Sequence, residues 1–132
     1  MKYLVLFVLF IFLSNFTLGN TEKPMKKTIM MDLDGVLDNY STYTDEISEI
    51  RKGAKDFVKK LSKNYELILF TTREPMKAVK WLENNKIDKY FKDVTNVKSP
   101  AYIYLDDRSI KFNGDYNKTY SEIKNFNVYW KN

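Results

Sequence analysis

Apolar residues collect in short runs that alternate with amphipathic stretches. Thr28-Ile29-Met30-Met31-Asp32-Leu33 is an apolar run ending in acid, and it predicts a buried strand. Gly53 to Lys63 sets Ala54, Phe57, Val58 and Leu61 on one face, with Lys55, Lys59, Lys60 and Lys63 outside, which predicts a helix stopped at Asn64. Glu66 to Phe70 predicts a second buried strand. From Pro75 to about Asn85, Met76, Val79 and Leu82, flanked by Ala78 and Trp81, predict a second helix opened by proline. Val94 to Val97 predicts a weaker strand and Tyr102 to Leu105 a stronger one. Ile110 to Phe112 fits a short strand before the Gly114 turn, Asn117 to Asn125 a last helix, and Val128 to Trp130 a last strand. Strands alternating with helices at this length predict a single α/β domain, a central parallel sheet with helices on both faces.

The first two dozen residues are different material. Lys2 precedes an uncharged stretch, Tyr3 to Thr21, whose apolar heart is Leu4 to Leu13. A positive start, a short apolar run and small residues near Thr17 and Gly19 describe a signal peptide; an uncleaved membrane anchor is the second reading. The expected organisation is therefore residues 1–24 as leader or anchor with its linker, and 25–132 as the domain. A real leader makes the protein secreted or periplasmic. Translation starting at Met25 would make it cytoplasmic, and membrane contact is expected only through an uncleaved leader.

Composition narrows the chemistry. The 132 residues are 44% hydrophobic and 30% charged, ordinary for a globular chain able to bury a core. There is no cysteine and no histidine. That excludes disulfides, thiolate metal sites, cysteine nucleophiles and every histidine-based catalytic pair. Carboxylates, hydroxyls, Lys, Arg and oxygen-seeking metals are left. The net charge of +5 suits an anionic substrate.

In parallel sheets ligands bind at the carboxyl ends of the strands, and the polar clusters sit there. Asp32 and Asp34 follow the first strand, Thr71 the second, Lys98 the weaker one, and Asp106 and Asp107 the Tyr102–Leu105 run. Four converging carboxylates repel each other unless a cation neutralises them, and without His or Cys the fitting cation is Mg²⁺. Mg²⁺ and Lys98 can offset charge on phosphoryl oxygens, and Thr71 can donate a hydrogen bond to one. One carboxylate can attack phosphorus while another handles the leaving group's proton.

These elements together resemble the haloacid dehalogenase (HAD) superfamily in its phosphatase branch. The residues that carry the likeness are Asp32-Leu33-Asp34-Gly35-Val36-Leu37, Leu67-Ile68-Leu69-Phe70-Thr71, Lys98, and Tyr104-Leu105-Asp106-Asp107. The resemblance implies Asp32 as nucleophile and Asp34 as general acid/base that also lends a backbone carbonyl to Mg²⁺. It implies Thr71 and Lys98 as phosphoryl binders, and Asp106 and Asp107 as completing the metal site. The stretch between the first two motifs is too short for a cap domain of the usual sort. Thr71-Thr72-Arg73 is similar to the Ser-Gly-Arg of polynucleotide 3′-phosphatase domains, which implies Thr72 and Arg73 as substrate-binding residues.

The function expected is a Mg²⁺-dependent phosphomonoester hydrolase working through an aspartyl-phosphate. Alternatives are a non-catalytic phosphate-binding module on the same fold and a phosphotransferase to an acceptor other than water. A nucleotide, a nucleic-acid end, a sugar phosphate and a phosphoprotein all remain open as substrate, and no feature calls for an obligate protein partner. Other readings are plainer: Asp107 and Arg108 as a surface ion pair, Trp81 and Trp130 as packing, Tyr102 and Tyr104 as core or interface, and Tyr40 and Tyr43 on the rim of the site.

Overall fold

A computed structural model describes residues 24–131, so all but the last residue of the expected leader or anchor with its linker, residues 1–24, lies outside the described residues, as does Asn132. Four strands, β1 (Lys27–Met31), β2 (Tyr65–Phe70), β3 (Phe91–Thr95) and β4 (Ile103–Leu105), form one sheet in the order β3-β2-β1-β4. All three pairings are parallel, with Ile29 beside Leu67 and Ile103, and Met31 beside Leu69 and Leu105. Among the described residues three α-helices accompany them: α1 (Ala54–Ser62), α2 (Pro75–Asn84) and α3 (Tyr116–Lys124). Among the described residues no helix is long and apolar enough to cross a membrane.

Local chemistry sets the helix ends. Gly53, at φ 87°, turns the chain into α1 in a conformation that L side chains resist. The Glu74 carboxylate accepts from the amides of Met76 and Lys77 at 3.0 and 2.8 Å, and Pro75 takes the first helical position. Asp115 caps α3 by accepting from the Lys118 amide at 3.0 Å.

The strand order decides where the helices lie. β1, β2 and β3 step across the sheet in one direction, so right-handed crossovers put α1 and α2 on the same face. The core confirms it: Ala54 and Val58 of α1 and Ala78, Trp81 and Leu82 of α2 join one cluster with Ile29, Met31, Leu67 and Leu69. The expected single α/β domain built on a parallel sheet is present. From β3 to β4 the chain returns across the opposite face without a helix. There Ser99 meets the buried Met30 sulfur at 3.5 Å, and the Tyr104 hydroxyl donates to the Ser99 carbonyl at 2.6 Å. α3 buries no residue.

Three expectations change. The third strand starts earlier, at Phe91, because edge position lets it carry the polar Lys92 and Asp93. Ile110–Phe112 forms no strand: the chain leaves β4 in a turn, with the Arg108 amide donating to Asp106 Oδ1 at 2.7 Å and the Ser109 hydroxyl to the Asp106 carbonyl at 3.3 Å. Tyr129–Lys131 is a 3₁₀ turn, closed by the Lys131 amide donating to the Val128 carbonyl at 3.1 Å, with the Tyr129 and Trp130 side chains on the site. Tyr102 and Tyr104 are exposed; Tyr102 stacks on Tyr65 with centroids 6.4 Å apart.

Candidate active site

The carboxyl edge of the sheet opens into a cleft of about 330 Å³ lined by Asp32, Asp34, Tyr40, Thr71, Asp106 and Arg108, among others. Asp32 leaves β1 while still tied to the sheet, its amide donating to the Leu105 carbonyl at 2.8 Å. The chain then turns sharply, the amides of Val36 and Leu37 donating to the Leu33 carbonyl, and Leu33 and Leu37 plug the turn into the core. Asp38, fully buried, braces this turn by accepting from the Gly35 amide at 2.8 Å and the Tyr40 amide at 3.1 Å. Burial raises its pKa against the lowering by the Gly35 bond. Sequence reasoning missed Asp38, whose only signal was an acid closing an apolar turn. Beyond it, Asp38 bridges to Ile50, and the residues between loop out and return to α1; among the described residues there is no cap domain.

Asp32, Asp106 and Asp107 each offer a carboxylate oxygen, and these atoms lie within 4.8 Å of one another. Burial is the main cause that pushes the Asp32 carboxyl up to about 7. The Leu33 amide at 2.7 Å works against it, and the charges of Asp106, Asp107 and Asp34 add to it. Asp107 gives one oxygen to the Trp130 indole N–H; its other oxygen, Oδ1, is buried with no hydrogen-bond partner. An all-oxygen set with an unsatisfied buried oxygen fits a hard divalent cation. The Asp34 carboxylate is not in this cluster.

Asp34 is instead held by Arg73. The guanidinium grips it through Nε at 2.9 and 3.1 Å and Nη2 at 2.7 Å, donates to the Thr44 carbonyl, and lies 4.7 Å from the Tyr43 ring. Arg73 is 6% exposed, and its hydrogen bonds to Asp34 raise its pKa. The expected substrate clamp is thus committed inside the protein. Thr71 is buried at the end of β2, with its amide on the Thr95 carbonyl. Its Oγ1 accepts from the Arg73 amide at 3.1 Å, which leaves the hydroxyl proton free to point into the cleft. Thr72 lines the cleft and is exposed.

Lys98 is not brought in. Its ammonium lies 4.4 Å from the Tyr104 ring, and it does not line the cleft. Asp107 and Arg108 make no ion pair; Arg108 lies over Tyr40 and Trp130. Tyr40 and Tyr43 line the cleft as expected. Trp81 packs, its N–H on the Ser48 carbonyl at 2.8 Å, whereas Trp130 is part of the site. Nothing in the sequence pattern announced Trp130, because an indole that holds a carboxylate looks like one that fills a core.

Residues 27–129 match the profile of a protein family described as NLI interacting factor-like phosphatase. A conserved protein from Bacteroides thetaiotaomicron has a similar structure, at a TM-score of 0.54 and 24% identity, with 76% of this chain and 91% of that one covered. At that identity the likeness speaks for the fold alone. No curated protein sequence matches the chain.

Proposed function

The chain belongs to the NLI interacting factor-like phosphatase family, a HAD-like family, and from that premise we propose a Mg²⁺-dependent phosphomonoester hydrolase with Asp32 as nucleophile. The supporting observation is that one cleft is lined by Asp32, Asp34, Thr71 and Asp106, with Asp107 in the carboxylate cluster beside them.

Asp32, Asp106 and Asp107 would hold the metal, with the backbone carbonyl of Asp34. Bound there, Mg²⁺ supplies positive charge that offsets the crowded carboxylates and the phosphoryl oxygens. In the first half-reaction an Asp32 oxygen attacks phosphorus, the ester P–O bond breaks, and Asp34 gives the leaving oxygen its proton. The Thr71 hydroxyl donates to a phosphoryl oxygen. In the second, Asp34 takes a proton from water, the water oxygen attacks phosphorus, and the bond from Asp32 to phosphorus breaks to release phosphate. Arg73 holds Asp34 in place for both.

Phosphate release from para-nitrophenyl phosphate, with Mg²⁺ and with a chelator, is the direct test. Turnover that the chelator abolishes supports the proposal, and turnover indifferent to metal overturns the metal's role. Mg²⁺ is also expected to raise the melting temperature, more at about pH 8 than at about pH 5.5, because Asp32 must give up its proton to the metal. An equal rise at both values would remove Asp32 from the ligand set.

Lys98 holds the phosphoryl role implied by motif order only if its side chain leaves the Tyr104 ring. In Lys98→Met, a fall in kcat/KM of about tenfold or more, at unchanged melting temperature, would show that movement; a change under about twofold would place phosphate binding on other residues.

A further inference from the structure

Arg108 stands on the wall between two cavities. On one side is the carboxylate cleft; on the other is a pocket of about 260 Å³ formed with Ile110, Ile123 and Phe126. Its guanidinium lies 5.3 Å from the Trp130 ring centroid and 5.8 Å from that of Tyr40, and these two rings meet edge to face at 5.1 Å. Trp130 is itself anchored on Asp107, so the wall is fixed to the carboxylate cluster.

Charge favours Arg108 as the group that meets the substrate. A phosphate ester entering this cleft faces Asp32, Asp34 and Asp106. Arg73 is occupied by Asp34, and Lys98 lies over Tyr104. Arg108 is exposed and makes no ion pair among the described residues. Its planar fork matches two phosphoryl oxygens, and the aromatic rings that stabilise the cation leave its N–H edge free to donate.

The second cavity explains what lies beyond the phosphate. Ile123 is 59% exposed and Phe126 43%, on and just after a helix that buries nothing. Apolar surface left open beside a charged cleft, with Arg108 as the wall the two share, is suited to the apolar part of a ligand whose anionic end is in the cleft.

We infer that Arg108 is a substrate-binding residue that seats the phosphoryl oxygens, and that the Ile110–Ile123–Phe126 pocket takes an aromatic, apolar leaving group of the ester. The inference rests on the phosphatase reading for the role of the cleft, and it extends that reading to a preference for aryl over small polar phosphate esters.

Binding of two non-hydrolysable probes separates the two. Calorimetry of the full chain with Mg²⁺ is expected to show (1-naphthylmethyl)phosphonate binding about tenfold or more tighter than methylphosphonate. Ile123→Asp should remove that advantage and leave methylphosphonate unchanged, and Phe126→Ala should reduce it; both positions are exposed. Arg108→Ala should weaken both probes by about tenfold. Equal affinity for the two probes, no binding of either, or an advantage that survives Ile123→Asp would overturn the pocket. Unchanged binding in Arg108→Ala would overturn the residue's role. If the probes rank as expected but 1-naphthyl phosphate is not hydrolysed, the binding inference stands and the catalytic reading fails.

Discussion

Asp32→Asn is expected to stop phosphate release, with kcat falling by at least about a thousandfold, while making the metal-free protein more stable above pH 7. The loss follows from the proposed chemistry: an amide cannot form the aspartyl-phosphate that the proposal requires. The gain follows from burial. The folded carboxyl titrates at about 7, against 3.8 for an unperturbed aspartate. Folding therefore favours the protonated form. Between those two values the unfolded chain gives up the proton while the folded one keeps it, so stability falls as pH rises, and the full penalty is present above 7. Asparagine carries no such charge. The melting temperatures of wild type and variant in a chelator should coincide below about pH 4 and diverge in the variant's favour towards pH 8. Mg²⁺ should reverse the order, since only the wild type presents the full cluster. Retained turnover would remove Asp32 as nucleophile; parallel pH curves would mean that the metal-free carboxyl is not buried at a cost.

Gly35→Ala is expected to damage stability and metal binding together. Gly35 has φ +78°, and a Cβ there would meet Asp107 Oδ2 at 2.5 Å and the Trp130 indole nitrogen at 2.9 Å. The backbone strain costs about 1–2 kcal/mol, and forcing the contact apart about 1–3 more. For a domain of this size a loss of that order lowers the melting temperature by about 8–20 °C. Gly53 and Gly114 are the controls, because they share the positive φ but have open space where the Cβ would go. Gly114→Ala should show only the strain. A Gly35→Ala protein that melts with Gly114→Ala and still binds Mg²⁺ at wild-type affinity would mean that Asp107 and Trp130 move aside freely.

The parts of the site legible in the sequence are those where a strand dictates position. Asp32, Thr71 and Asp106 follow continuous apolar runs, and a parallel sheet brings such ends to one edge whatever the side chains do next. Lys98 follows β3 after two residues of irregular chain, so order along the sequence left its direction open, and the Tyr104 ring took it. Arg73 could be placed near the cleft but not oriented, because its partners, Asp34 and the Thr44 carbonyl, come from another motif and from a loop without periodicity. The distribution of helices was hidden for a different reason. Alternating strands and helices read the same whether successive strands step one way or reverse, and only the order β3-β2-β1-β4 reveals that α1 and α2 share a face. Val128–Trp130 looked like a strand because it is a short apolar run, but only Val128 is buried; the consecutive Tyr129 and Trp130 both reach the site, at the Gly35 carbonyl and Asp107.

The Trp130 hydrogen bond also gives the protein an optical reporter. The chain has two tryptophans. Trp81 is buried in the core with its N–H on the Ser48 carbonyl, and it does not line the cleft. Trp130 shares its N–H with a carboxylate of the cluster and its ring with Arg108. Drawing electron density from Asp107, or pulling the guanidinium towards an anion, changes the field across that indole, so its fluorescence emission should follow occupancy of the site without any added label.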